Sequence, residues 1–117
     1  MKVRILAVPY DSGHENVRMG RGPERLLELG LDEGIRRRGH TASVEFVRTK
    51  AKFRTEVTSA YELNRNLAGA VHSAVEDDHL PVVLSGNCNS ALGTLAGLPF
   101  DASRFGLDRT WIRRIHR

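Results

Sequence analysis

Residues 81–84 read Pro-Val-Val-Leu, an unbroken apolar run that gives way at Ser85-Gly86 to a short polar loop and then to a second apolar stretch. A strand without polar alternation has to be covered on both faces, which is the condition inside a parallel sheet flanked by helices. The loop after it holds Cys88, the single cysteine of the chain, between Asn87 and Asn89. In α/β proteins the turn from a strand's carboxyl end into a helix is a common place for ligands.

The rest of the chain supplies the alternation such a sheet requires. Val3, Ile5, Leu6, Ala7 and Val8 precede Pro9 and predict a first strand. "DSGHENVRMGRG" reads as loop, marked by Gly13, Gly20 and Gly22. Pro23 suits the first turn of a helix, and Leu27, Leu31 and Ile35 give that helix one apolar face as far as Gly39. Arg36, Arg37 and Arg38 read as its solvated end. "TASVEFVR" predicts a second strand, followed by a charged connection. Residues 55–77 carry the longest helical pattern, with Ala60, Leu63, Leu67, Val71 and Ala74 on one side. After 81–84, a further helix is predicted to begin near Asn89 or Ser90, both good caps. Three strands alternating with helices imply a parallel sheet covered on both faces.

Length and composition set bounds. The 117 residues suit one domain, and 40% hydrophobic with 27% charged residues is ordinary for a globular protein. No apolar run approaches the roughly 18 residues of a membrane span, and the N-terminus carries no signal-peptide pattern. A lone cysteine cannot form an internal disulfide and fits a reducing compartment, so the expected location is the cytoplasm. The formal net charge of +4 is confined to residues 104–117, where Arg104, Arg109, Arg113, Arg114 and Arg117 face Asp108 alone. A neutral body with a basic end is no phosphate-binding face, which makes a nucleic-acid partner unlikely.

"VPYDSG…MGRGPERLLELGL", followed some sixty residues later by "PVVLSGNCNSALGTLAGL", resembles the N-terminal half of an arginase/agmatinase-type ureohydrolase. The resemblance covers about residues 3–105. It implies a three-layer α/β/α fold with a parallel sheet, apparently truncated, as residues 1–105, with an atypical basic tail over 106–117. It also implies two manganese ions that share a hydroxide, hydrolysis of a small guanidino compound such as arginine or agmatine with release of urea, and a possible homo-oligomer. Paired divalent ions make hydroxide available at neutral pH.

The chain departs from the family pattern at the metal. Where the family has Asp-His-Ser, Cys88 stands at the first ligand position and Asn87 at the preceding aspartate. Thiolate suits zinc better than manganese, so zinc or no metal are the alternatives to the family pair. Cys88 is either a site residue, with Gly86, Asn87 and Asn89 lining the same loop, or a small residue packed beside the sheet. His14, Glu15 and Asn16 are candidates for a substrate pocket, because their loop leaves the carboxyl end of the first strand. His40, His72 and His79 show no metal-ligand spacing. "TWIRRIH" stands where a strand ending in Asp-Ala-His is expected, with Arg113 and Arg114 near the aspartate's place. The remaining ligands are missing, so this chain is expected to lack the activity by itself. The alternative is a non-catalytic binding or assembly module with an arginase-like fold.

Overall fold

A computed structural model describes residues 1–50 and 52–99. The proposed boundary at residues 105/106 and the arginine-rich end lie outside these residues. Three parallel strands form the sheet: β1 (Lys2–Val8), then β4 (Thr41–Phe46) on one side of it and β5 (Leu80–Ser85) on the other. Two short strands, β2 (Tyr10–Asp11) and β3 (His14–Glu15), pair antiparallel after β1. The helices are α1 (Gly22–Glu28), α2 (Leu31–Arg37), α3 (Glu56–Glu76) and α4 (Ser90–Gly97).

β1 is central, and its residues show it: Ile5, Leu6 and Ala7 have no exposed surface. Successive strand residues point to opposite faces. Leu6 and Val8 face α3, where they meet Leu63, Leu67 and Val71; Val3, Ile5 and Ala7 take the other face, on the side of α1 and α2. The connection from β1 leaves to one side and the connection from β4 crosses back past it. Right-handed crossovers therefore put the helices on both faces of β1, whereas the apolar run at 81–84, expected to be covered on both faces, is only half-buried on the outer side of the described sheet.

α3 matches its predicted span closely. Thr55 caps it, its Oγ1 accepting from the Thr58 amide at 3.1 Å, and Leu63, Leu67, Val71 and Ala74 are buried. At its far end Asp77 pairs with Arg4 of β1 at 3.1 Å. The predicted single helix over 23–39 is instead two. Gly30 takes φ 92°, a left-handed conformation that ends α1; the Gly30 amide bonds back to the Leu27 carbonyl at 3.0 Å. The Gly30 carbonyl then accepts from Gly34 at 2.8 Å and starts α2. Leu27, Leu31 and Ile35 remain half-buried across the break. Arg36, Arg37 and Arg38 are exposed, as a solvated helix end requires, and the Arg36 guanidinium also donates to the Ala42 carbonyl at 2.9 Å and to Asp32 at 2.9 Å, tying α2 to β4.

Candidate functional site

The strand order β4–β1–β5 has its switch point between β1 and β5, where successive connections leave in opposite directions. Ligands of open α/β sheets bind beyond the carboxyl ends of the strands at such a point. A cleft of about 300 Å³ lies there, between the ends of β1 and β5 and the first half of α3. Its apolar wall is Val8, Leu63 and Leu67 with Val57 and Ala60; its polar groups include Tyr10, Glu56, Asn64, Ser85 and Asn87.

Two loops frame this cleft, and they are the two stretches that carry the family resemblance. The first is a hairpin rather than the predicted open loop. Ser12 (φ 51°) and Gly13 (φ 81°) are both left-handed, the requirement of a two-residue turn that matches strand twist. Its Asp11 carboxylate accepts from the Ser12 hydroxyl at 3.2 Å, the Arg18 guanidinium at 3.2 Å and the Met19 amide at 3.3 Å. Partial burial works to raise the Asp11 pKa, but these donors outweigh it and hold the carboxyl below its ordinary value of 3.8. A carboxylate whose folded pKa is depressed adds stability above its unfolded pKa and loses it as pH falls through the folded value. Asp11→Asn should therefore lower the urea midpoint at pH ~6, with the difference from the parent protein shrinking at an acid pH below the carboxyl's ordinary value. An equal difference at both pH values would show that the charge is not the cause.

The second loop follows β5 and is bonded to itself. Ser85 Oγ donates to the Asn87 carbonyl at 2.8 Å, Ser90 Oγ donates to the same carbonyl at 3.2 Å, and the Asn89 amide donates to Asn87 Oδ1 at 3.1 Å. The loops meet at glycine. A Cβ on Gly86 would strike the Tyr10 carbonyl oxygen and lie 2.7 Å from the Gly20 nitrogen. Backbone therefore touches backbone at the cleft's edge.

Of the predicted site residues, Asn87 and Asn89 line the cleft, and Gly86 forms its edge as just described. Cys88 is exposed rather than packed beside the sheet, and it is not among the described lining residues. His14, Glu15 and Asn16 are exposed and are not among the described lining residues. His14 stacks on Phe53 with ring centroids 4.1 Å apart, and Glu15 pairs with Arg48 at 2.8 Å, so both side chains fasten the hairpin to the segment after β4. The Asn16 amide donates to the Pro9 carbonyl at 2.8 Å. The polar lining residues that sequence reasoning missed include Tyr10 and Ser85 at the strand ends and Glu56 and Asn64, supplied to the cleft by α3. Asn64 carried a signal: it follows Leu63 and precedes Leu67 inside the buried stripe of the helix.

The donor set does not suit a pair of manganese ions. Among the described residues no three His, Cys, Asp or Glu side chains come together. In the β5 loop the one ligand-type group is a soft thiol flanked by amides, whereas manganese prefers carboxylate and imidazole. The geometry can bind and orient a small polar molecule.

No family model matches the chain. Curated arginases do: one from Bacillus caldovelox is 28% identical over 115 residues, covering 90% of this chain and 38% of the relative. Another, from Bacillus subtilis, is 28% identical over 102 residues, covering 81% and 34%. The chain thus spans little more than a third of the length of the curated relatives it matches. A crystal structure of arginase from Bacillus subtilis superposes with a TM-score of 0.72 at 26% identity, covering 83% of this chain and 33% of that one. For arginase from Bacillus cereus, at 24% identity, the TM-score of 0.69 speaks to the fold alone. With the fold, the order of the two motif stretches and these likenesses in agreement, the chain is similar to the N-terminal third of arginases and shares the fold of that part.

Proposed function

We propose that this chain supplies one wall of a guanidino-hydrolase centre, the wall built from the first strand ends, and is inactive without the remainder of the site. The observation that carries the reading is the cleft at the β1/β5 switch point, framed by the same two stretches that resemble the ureohydrolases. Its apolar wall and amide-rich rim suit a small molecule with a hydrocarbon body and a polar head, as guanidino compounds are. In the family reading, two metal ions, when bound, supply the hydroxide and stabilise developing charge. The side chains of the cleft and its loops do not fit that pair.

Purified 117-residue chain incubated with arginine or agmatine, and with either manganese or zinc, is expected to release no urea. Metal-dependent urea release by the chain alone would overturn the reading. A second reading, a non-catalytic assembly module, has one observation in its favour: Leu92 and Leu95 on α4 are each more than 60% exposed, 67% and 62%. Such large apolar side chains on one short helix suit contact with another polypeptide.

A further inference from the structure

We infer that Asn64 is a positioning residue for the loop that bears Cys88. The inference rests on the reading that this loop belongs to the site. Asn64 lies on α3, and its side chain makes two bonds of opposite sense. Nδ2 donates to the Ala60 carbonyl of its own helix at 3.0 Å, and Oδ1 accepts from the Gly93 amide at 2.8 Å. Only one orientation of the amide satisfies a carbonyl on one side and an N–H on the other, so the two bonds fix the side chain together.

Gly93 is the fourth residue of α4, and its N–H would ordinarily bond to the carbonyl of Asn89. That carbonyl instead accepts from Leu92 at 3.2 Å, while the Cys88 carbonyl accepts from Ala91 at 3.1 Å. The first turn of α4 is thus wound tightly onto the loop, and the displaced Gly93 donor is handed to a side chain from another helix. Asn64 acts as a cap supplied in three dimensions rather than in sequence.

Two glycines allow the approach. A Cβ on Gly93 would lie 2.7 Å from the Asn64 carbonyl oxygen, and one on Gly97 would strike the Ala68 carbonyl oxygen and lie 2.7 Å from Val71 Cβ. These contacts set how closely α4 lies on α3, but surfaces of glycine resist sliding poorly. The directional bond from Gly93 to Asn64 sets where along α3 the helix stops. Because Ala91 and Leu92 bond directly back to Cys88 and Asn89, fixing Gly93 fixes the thiol's place as well.

The single cysteine makes this testable without further engineering. A nitroxide attached to Cys88 of the full chain reports loop mobility, and NMR hydrogen exchange reports the Gly93 amide. In Asn64→Ala the nitroxide spectrum is expected to narrow, and Gly93 protection to fall about fivefold to tenfold. Asn64→Asp keeps the acceptor for the Gly93 amide but loses the donor to the Ala60 carbonyl, and is expected to give a spectrum between the parent and the alanine variant. Ala74→Gly, in the buried stripe near the far end of α3, is expected to lower stability without narrowing the signal. If Asn64→Ala does not fold, Asn64→Gln, which moves the oxygen one methylene away, gives the same readout. A spectrum unchanged in the alanine and glutamine variants, or an aspartate variant that behaves like alanine, overturns the inference. No metal or substrate enters the measurement, so urea release by the chain would sink the proposed function and leave this result standing.

Discussion

Gly86→Ala is expected to destabilise the chain by about 3 kcal/mol, the upper part of the usual range for overpacking. The added methyl would meet backbone only: the Tyr10 carbonyl oxygen, the Gly20 nitrogen at 2.7 Å and the Gly20 Cα at 2.8 Å. A flexible side chain could swing aside; these atoms cannot. Gly20 is itself hemmed in, since a Cβ there would lie 2.9 Å from the Tyr10 carbonyl carbon. Relief therefore requires parting the hairpin segment from the end of β5, which opens the cleft at its edge. The measurement is the midpoint of urea unfolding, compared with Gly22→Ala, where an added methyl meets nothing within 4 Å. A loss at Gly86 no larger than that at Gly22 would mean the two loops are not in contact.

Leu67→Ala is expected to cost about 3 kcal/mol, within the 2–5 kcal/mol span of buried leucine truncations. Leu67 is 1% exposed and sits in one cluster with Leu6, Val8, Tyr10 and Val71. The cost has two parts: the transfer free energy of the lost methyls and the void left where rigid strands cannot close in. Leu67 also forms part of the cleft wall, so the void extends the cleft into the core. For a chain of this size each kcal/mol lowers Tm by about 4–8 °C, giving a fall of at least ~10 °C in a calorimetric or circular-dichroism melt. A fall of only a degree or two would place Leu67 outside the core.

The sheet and the long helix were legible because burial on two faces and on one face leave different marks. β1 is apolar without interruption near its end, where it is covered on both faces, and β5 carries the same mark although it is only half-buried, while α3 repeats its apolar residues every three or four positions. The break at Gly30 was not legible, since Leu27, Leu31 and Ile35 keep their spacing across it and a stripe does not register a turn in the axis. The hairpin at residues 10–15 escaped because two-residue strands are too short to show alternation. For the site, the two loops were found and their contents misjudged. His14 and Glu15 have the chemistry of a pocket, but their partners, Phe53 and Arg48, lie more than thirty residues away. Glu56 and Asn64 were overlooked because they belong to a helix read only for its apolar face.

The order of the strands governs how this polypeptide can assemble. β1 has its first neighbour about forty residues downstream, with Lys2 opposite Thr41, and its second nearly eighty downstream, with Val3 opposite Leu80. During synthesis at about 5–20 residues per second, the most deeply buried strand of the described fold therefore waits several seconds before both sides of it are covered. Helices α1 to α3 can form locally in that interval, but sheet closure depends on residues near position 80. The rate-limiting event on the ribosome is thus the emergence of β5, and a nascent chain stalled shortly before it would present an unshielded β1 to chaperones.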